Sequence, residues 1–586
     1  MFSRTHRFLA FALFLPGALF AAGANVYLQH NLVSDVPGTA DVTDPNLVNP
    51  WGLSFSATGP FWVSNQGKGN ATVYNGSGAI LPLVVAVPSG AAGGQPSGPT
   101  GQVQNSFGTS NPGAFVLANG RPASFIFSTQ DGTISAWNSG SAAAMEVDNS
   151  AAGAVYKGLA IGSNSSGPLL YAPNFNTGNI DVYDGKFAPA KVSGGFSDPT
   201  LPAGFAPFNI WNLGGKLYVT YAKQDGAKKN DVGGAGNGFV DVFDTDGNLQ
   251  KRLVSNGPLN SPWGVAIAPS TFGAFGGALL VGNFEDGKIN AFDLSSGNSL
   301  GTLQDSNGNA IVIPGLWALL FGNGATGGDR NTLYFTAGIN GQTHGLLGSL
   351  APPAAVLSVV NGASGATGPI APGEVLVLWG LTIGPSPGAS GTVPSAGVLS
   401  PNLAGVSVTF NGNPAPILYT SASQTSVLAP YELGGFSSAT VEVKYRGQTA
   451  SLQVPVAFTA PGLFTLDFSG AGQAAALNAD GSVNSSKNPA SAGSIITLFA
   501  TGQGSTNPPG QNGAVNDHII REPQIPCTVT IDGKPAQVVY GGTAPDLVQG
   551  ITQIEAIIPT GVTGTVPVVL TDGSSNSQSN VTISVK

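Results

Sequence analysis

Charge is the first scarcity in this chain. Asp, Glu, Lys and Arg make up 9% of its 586 residues, and the formal net charge is -9, where an ordinary globular chain is about 25% charged. No basic cluster follows the first seven residues. Phosphate neutralisation therefore has no source, and nucleic acid is excluded as a partner. Cysteine occurs once, as Cys527, which rules out an internal disulfide. A large domain can bury enough core without such staples. The neighbours Pro526 and Thr528-Val529-Thr530-Ile531 place Cys527 in a strand as a packed residue. Histidine occurs four times. Only His30 and His344 fall in the first part of the mature chain, with His518 near the end, so a three-His zinc site cannot form in that first part.

Long apolar runs are also missing. The single such run, Phe8 to Phe20, is too short to span a bilayer comfortably. It follows the positive Arg4, His6 and Arg7 and precedes Ala22-Gly23-Ala24, an A-x-A cleavage signal. Residues 1–24 are thus expected to be a signal peptide, with a mature chain from Asn25. That implies secretion, to the extracellular space or cell surface, and no transmembrane span after cleavage.

What the chain has in excess is Gly (85) and Pro (43), together with 42% hydrophobic residues and 30 Phe. Disordered chains are poor in apolar residues. This mixture instead predicts an all-β protein of short strands and tight turns.

A unit of about fifty residues recurs through residues 47–350. Unit one reads Pro50-Trp51-Gly52-Leu53-Ser54-Phe55, Phe61-Trp62-Val63-Ser64-Asn65 and Ala71-Thr72-Val73-Tyr74-Asn75. Unit five repeats it as Pro262-Trp263-Gly264-Val265-Ala266-Ile267, Leu279-Leu280-Val281-Gly282-Asn283 and Lys288-Ile289-Asn290-Ala291-Phe292-Asp293. The Trp51 position recurs as Thr100, Lys157, Phe208, Trp263 and Trp317, at intervals of 49, 57, 51, 55 and 54. Six such units predict a six-bladed β-propeller over residues 25–351. Packing each sheet on its neighbours buries faces that a lone blade would expose. The sixth unit lacks an outer strand, and Val26-Tyr27-Leu28-Gln29-His30-Asn31-Leu32-Val33 is a free strand able to supply it. The Pro-Trp-Gly-Leu, Phe-Trp-Val-Ser-Asn and Thr-Val-Tyr segments resemble NHL-type blades. With Asn31-Leu32-Val33-Ser34-Asp35 and Asn49-Pro50-Trp51-Gly52-Leu53, they are similar to an uncharacterised family of secreted bacterial propeller proteins. That resemblance implies a fold and no activity.

The pattern changes after Ala351-Pro352-Pro353, and a duplication begins. Ala371-Pro372-Gly373-Glu374-Val375-Leu376-Val377-Leu378-Trp379 matches Ser491-Ala492-Gly493-Ser494-Ile495-Ile496-Thr497-Leu498-Phe499. Val406-Ser407-Val408-Thr409-Phe410-Asn411-Gly412 matches Cys527-Thr528-Val529-Thr530-Ile531-Asp532-Gly533. The Asn-Gly and Asp-Gly pairs predict tight hairpins. Two immunoglobulin-like β-sandwich modules are expected, at 352–459 and 460–586. They resemble IPT/TIG-type domains, which implies accessory extracellular modules of the kind found on secreted proteins of soil bacteria.

Chemistry is harder to find. Gly297-Asn298-Ser299-Leu300-Gly301 fits G-x-S-x-G, and Gly322-Asn323-Gly324-Ala325-Thr326-Gly327 fits G-x-G-x-x-G. Neither is followed by the helix that such motifs need, so both read as turns. Asp244-Thr245-Asp246-Gly247-Asn248 lacks the distal ligands of a calcium loop and reads as a hairpin. Two sets remain. Trp51, Lys157, Phe208, Trp263 and Trp317 open the inner strands and would line a tunnel mouth, offering aromatic platforms for a glycan or a peptide. Asn65, Asn174 and Asn283 end second strands on units one, three and five, spaced 109 and 109 residues apart. Their oxygens are candidate calcium ligands, as in lactonase-type propellers, although neutral amides also hold hairpin backbone. The function expected is a secreted binding or scaffold protein with a glycan or surface protein on its propeller face. The alternatives are a calcium-dependent hydrolase or lyase, with Glu285, Asp286 or Asp131 near the metal, and a purely structural surface protein.

Overall fold

The computed structural model describes residues 25–94, 96–392, 397–515 and 519–586. The expected signal peptide and His518 lie outside them. The chain splits into a compact unit Ala22–Pro352 and a second that includes Pro353–Lys586.

The first unit is all-β and propeller-like. Among the described residues its strands form six sheets, antiparallel except where Val33–Ser34 pairs with Val42–Thr43. The first runs Pro50–Ser54, Phe61–Asn65, Asn70–Tyr74 and Ile80–Ala86 from inside to outside. Its second strand is buried at all five positions, while its outermost strand alternates exposed positions with half-buried or buried ones. Strands covered on both faces read as continuous apolar runs, and outer strands keep a solvent side. Third strands often end in Asp or Asn for a local reason. The Asp184 Oδ1 accepts the N–H of Lys186 at 2.8 Å and of Ala188 at 3.0 Å, and Asp293 Oδ1 accepts those of Ser295 at 3.1 Å and Ser296 at 2.7 Å. Such Asx turns close the outer hairpins. Asp244 is one of them, taking the N–H groups of Asp246 and Asn248 at 2.9 Å each. The two glycine motifs likewise run into extended chain: the first overlaps the strand Ser299–Thr302 and the second precedes Leu333–Ala337.

Each pair of neighbouring sheets shares its own apolar cluster. Trp62 and Val85 meet Phe125 and Phe127 between the first and second. Ile126 and Ile134 meet Leu170 and Tyr183 between the second and third. The series continues through Tyr171 with Leu217, Tyr218 with Val265, and Leu280 with Phe335. The sixth sheet then meets the first through Leu347, Tyr334, Phe61 and Tyr74. The closing strand is the one expected. Leu28–Ser34 pairs antiparallel with Leu346–Ala351, in the register His30 opposite Ser349. Its seam is fixed by the Ser34 hydroxyl donating to the Gly345 carbonyl at 2.7 Å, and by His344 Nδ1 against Asp35 Oδ2 at 2.7 Å. His30 takes a different partner, Asp41, so the two histidines form no shared site.

Inner strands approach too closely for side chains at one level. A Cβ at Gly101 would overlap the backbone of Gly158 and Leu159 in the next sheet, and one at Gly264 would overlap the Trp317 carbonyl. Both glycines follow the repeating Trp51 position.

The second unit holds two face-to-face sheet assemblies. In the first, a sheet containing Val375–Leu381 and Gln424–Leu428 covers one containing Val406–Phe410 and Ser438–Tyr445. Leu376, Leu378, Val408, Phe410 and Val441 fill the space between them. In the second, Lys534–Thr543 pairs with Cys527–Ile531 at one end and Thr552–Ile557 at the other, joining two sheets over a single core. Both expected hairpins are present. Asn411 and Gly412 have φ of 49° and 82°, and Asp532 and Gly533 have φ of 54° and 69°. The strand flanks are Phe410 opposite Asn413 and Ile531 opposite Lys534. Cys527 is half-buried in its strand with a free thiol. Glu374 is buried within this unit, its Oε1 accepting from Asn361 Nδ2 at 2.7 Å and its Oε2 from the Ala371 N–H at 2.6 Å.

Two outcomes follow from this packing. Gly101→Ala is expected to lower stability by about 1–3 kcal/mol, because the added methyl meets backbone and not a movable side chain. Denaturant unfolding of the full chain measures it, and an unchanged midpoint would refute the close approach. Burial pushes the Glu374 carboxyl up to about 8 from 4.5, against the opposing hydrogen bonds from Ala371 and Asn361. The folded chain therefore keeps a proton that the unfolded chain loses. The stabilisation is complete below the unfolded value and is lost as pH rises through the folded one, at up to ~1.4 kcal/mol per pH unit. Glu374→Gln should remove that slope between about pH 5 and 8, read from urea midpoints across the range.

Candidate functional site

The site begins with a defect repeated in the inner strands. Their pairing slips between Pro50 and Leu53, Pro99 and Gln102, Pro207 and Asn209, Pro262 and Gly264, and Leu316 and Leu319. A β-bulge re-aims the side chain it carries. Here it carries Trp51, Thr100, Phe208, Trp263 and Trp317, and the rings converge. Trp51 stacks on Trp317 with centroids 3.5 Å apart, and Trp263 meets both edge-on at 6.1 and 5.7 Å. Phe208 lies 6.1 Å from Trp317, and Phe284 stacks on the Trp317 ring at 4.1 Å. Lys157 joins them, its ammonium 5.2 Å from the Trp51 centroid, 5.7 Å from Phe175 and 6.0 Å from Phe208.

The five residues singled out in the sequence thus come together. Their setting differs from the mouth expected of them. The three tryptophans are each 1% exposed, Phe208 0% and Lys157 2%. The bulges turn Trp51, Phe208, Trp263 and Trp317 onto one another and onto Lys157, forming a packed axial layer.

The three asparagines are buried, and each amide serves its own sheet. Asn65 Nδ2 donates to Asn70 Oδ1 and Thr72 Oγ1, both at 2.9 Å. Asn174 Nδ2 donates to Asp181 Oδ2 at 3.0 Å while its oxygen accepts the Val155 N–H at 3.2 Å. Asn283 Nδ2 donates to the Pro258 carbonyl at 2.8 Å and to Asp286 Oδ1 at 3.0 Å. The Oδ1 atoms of Asn65 and Asn283 are buried without a hydrogen-bond partner. No group of three or more His, Cys, Asp or Glu among the described residues is arranged to hold a metal.

On the side where the inner strands begin, the loop after Lys216–Lys223 carries Asp225 and Asp231. Burial lowers the Lys157 ammonium to about 8, and the charges of Asp231 and Asp225 oppose that shift. Burial raises the Asp231 carboxyl, which Lys157 pulls back. Burial also raises Glu285, with Asp231 and Asp286 adding to it. Asp131 is engaged elsewhere, accepting the Gly90 N–H at 2.9 Å.

On the side where the inner strands end, a cavity of about 290 Å³ opens. Its wall combines the rings of Phe55, Trp211 and Trp263 with the amides of Gln102, Gln104, Asn209 and Asn212 and the hydroxyls of Ser54 and Ser106. No charged side chain lines it. Several amides are already oriented by the protein. Gln102 takes the Ser64 hydroxyl at 2.7 Å, Asn209 Nδ2 donates to the Trp263 carbonyl at 3.0 Å, and Asn212 Nδ2 donates to the Ile161 carbonyl at 2.8 Å. The Trp211 indole N–H has no acceptor in the protein. Sequence reasoning reached Trp263 and missed the rest of this wall. The available signal was the polar pair Gln102 and Gln104, two residues apart in an inner strand and therefore on one side of it.

The first unit thus belongs to the propeller-like class, with a sealed axial layer and a neutral cavity beside it. No family model matches the chain. It is 32% identical over 332 residues to "Uncharacterized protein R648" of Acanthamoeba polyphaga mimivirus, across 54% of this chain and 78% of that one. It is also 32% identical over 332 residues to "Uncharacterized protein L690" of the same virus, across 84% of that protein. The chain belongs to the family that these proteins define. Among solved structures it is similar to a streptogramin B lyase, with 13% identity and a TM-score of 0.32, over 55% of this chain and 96% of that one. A PQQ-bound aldose sugar dehydrogenase from Streptomyces coelicolor gives 12% identity and a TM-score of 0.32, over 56% of this chain and 100% of that one.

Because Trp317 contacts rings from several sheets, Trp317→Ala should cost about 3–5 kcal/mol. Denaturant titration of the full chain reads this, and a loss below about 1 kcal/mol would show that the layer does not hold the unit together.

Proposed function

We propose that this protein is a secreted binding protein whose first unit, a six-bladed propeller, holds an uncharged carbohydrate in the cavity at the ends of its inner strands. Two immunoglobulin-like modules follow and space the propeller from the surface it serves. The observation that carries this reading is the chemistry of the cavity wall. Rings, amides and hydroxyls surround about 290 Å³, with no charged group among them. Sugar rings present apolar faces that stack on indoles and hydroxyls that pair with amides. A wall of this kind offers no general acid or base, so it favours holding a ligand over turning it over. Glycan is preferred to peptide because a neutral wall has no group to discriminate charged side chains or termini.

The test is a glycan array with the mature protein, followed by calorimetry on the hits. Neutral oligosaccharides should bind in preference to sulfated or sialylated ones. Trp211→Ala should weaken binding about tenfold or more, the loss of roughly 1.4 kcal/mol, in a variant that still unfolds cooperatively. A hit unaffected by Trp211→Ala and by Gln104→Ala would remove the cavity from the reading. Binding confined to acidic glycans would overturn the neutral-ligand assignment.

A further inference from the structure

The neutral cavity has a floor. Each of the six inner strands, or the residues leading into it, places one residue in the axial layer, and none of Trp51, Thr100, Lys157, Phe208, Trp263 and Trp317 is more than 2% exposed. The cavity wall begins where that layer stops. Gly52, Gly101 and Asn209 line it directly after Trp51, Thr100 and Phe208 in sequence, and Trp263 belongs to both wall and layer. Residues of all six sheets contribute to the wall, so the cavity lies on the axis they share. Exposure rises along the strands away from the layer. Gly52, Leu53 and Gly101 are buried, Ser54, Phe55 and Gln104 are half-buried, and Ser106 is exposed.

We propose that this cavity takes the terminal ring of a neutral glycan end-on, and not a ring within the chain. The inference rests on the carbohydrate reading of the same wall and adds which part of the carbohydrate enters. A groove open at both ends lets a polymer lie across it with several rings in contact. A cavity with a floor and a mouth at the strand ends admits a chain only by its end. Linkage chemistry gives the same answer. A ring within a chain carries two glycosidic bonds that leave on different sides, whereas a terminal ring carries one, which can point out of the mouth. The other sides of that ring then face the wall. Amides reach it from two sheets, Gln102 and Gln104 from the second and Asn209 and Asn212 from the fourth. The volume of about 290 Å³ lies at the small end of ligand sites, which run from about 300 to 1,000 Å³. That is room for one ring and not for a run of them.

Calorimetry on the mature protein tests the proposal. The probes are the methyl glycosides of glucose, galactose, mannose and xylose, and the linear oligosaccharides built from each. At least one methyl glycoside should bind once per chain, and lengthening that sugar should raise its affinity by less than about threefold. Gln104→Ala should weaken the methyl glycoside and its oligosaccharide by the same factor, because the terminal ring makes the contacts in both. A cyclic glucan, which has no chain end, should not bind. Oligosaccharide binding with no methyl glycoside binding up to about 10 mM would overturn end-on recognition and leave the carbohydrate reading standing. So would an affinity that climbs about tenfold or more with chain length, or binding of the cyclic glucan. If no neutral sugar of any length binds, the carbohydrate reading itself fails and this inference falls with it. Should Gln104→Ala fail to fold, the length series on the unaltered protein decides.

Discussion

The first unit rests on the pairing of Leu28–Ser34 with Leu346–Ala351. A sheet in this arrangement has two apolar faces, and each must be covered by a neighbour. Five of the six inter-sheet clusters form between consecutive sheets. The sixth, through Leu347, Tyr334, Phe61 and Tyr74, exists only if the last sheet meets the first. The N-terminal strand completes that last sheet, so chain ends more than 300 residues apart share one set of ladder hydrogen bonds. The cost is loop-closure entropy, which grows slowly with length. The return is a ring in which no sheet leaves a face in water.

Closure also brings the inner strands together on the axis, and chemistry follows from that crowding. Glycine at 101 and 264 lets backbones touch. The bulge beside each of these positions frees the preceding side chain from the ladder and turns it inward. Large rings then fill the axis, and the layer they form divides the interior. One side is charged, with Lys157, Asp231 and Glu285. The other is neutral, with amides and indoles. Low dielectric on the charged side moves the ionisation of all three groups toward neutrality. The neutral side has no such groups to perturb.

Much of the fold was legible in the sequence because it is written locally and repeatedly. The fifty-residue period, the hairpin at Asp244 and the two-residue hairpins at Asn411 and Asp532 each depend on a few adjacent residues. The candidate site was legible only in part. The repeat aligned Trp51, Lys157, Phe208, Trp263 and Trp317, and so identified residues that meet. It could not say whether they meet at an open mouth or in a sealed layer, since that depends on how far each bulge turns its side chain. Asp231 was missed because its loop has no counterpart in the other units. Trp211 and Asn212 were missed because they end a strand longer than its equivalents.

The sequence by itself determined the all-β character, the order of strands within each sheet, the strand that closes the ring and the duplication that follows it. These are set by apolar periodicity, turn residues and repetition, which act over a few residues at a time. The tertiary structure alone decided that the axial rings are buried and that Asn65, Asn174 and Asn283 each turn toward their own sheets. It alone placed the Lys157 ammonium over the Trp51 ring, whose buried N–H has no partner among the described residues. Those outcomes depend on side chains from different sheets, some fifty residues apart in sequence, competing for the same few ångströms on one axis.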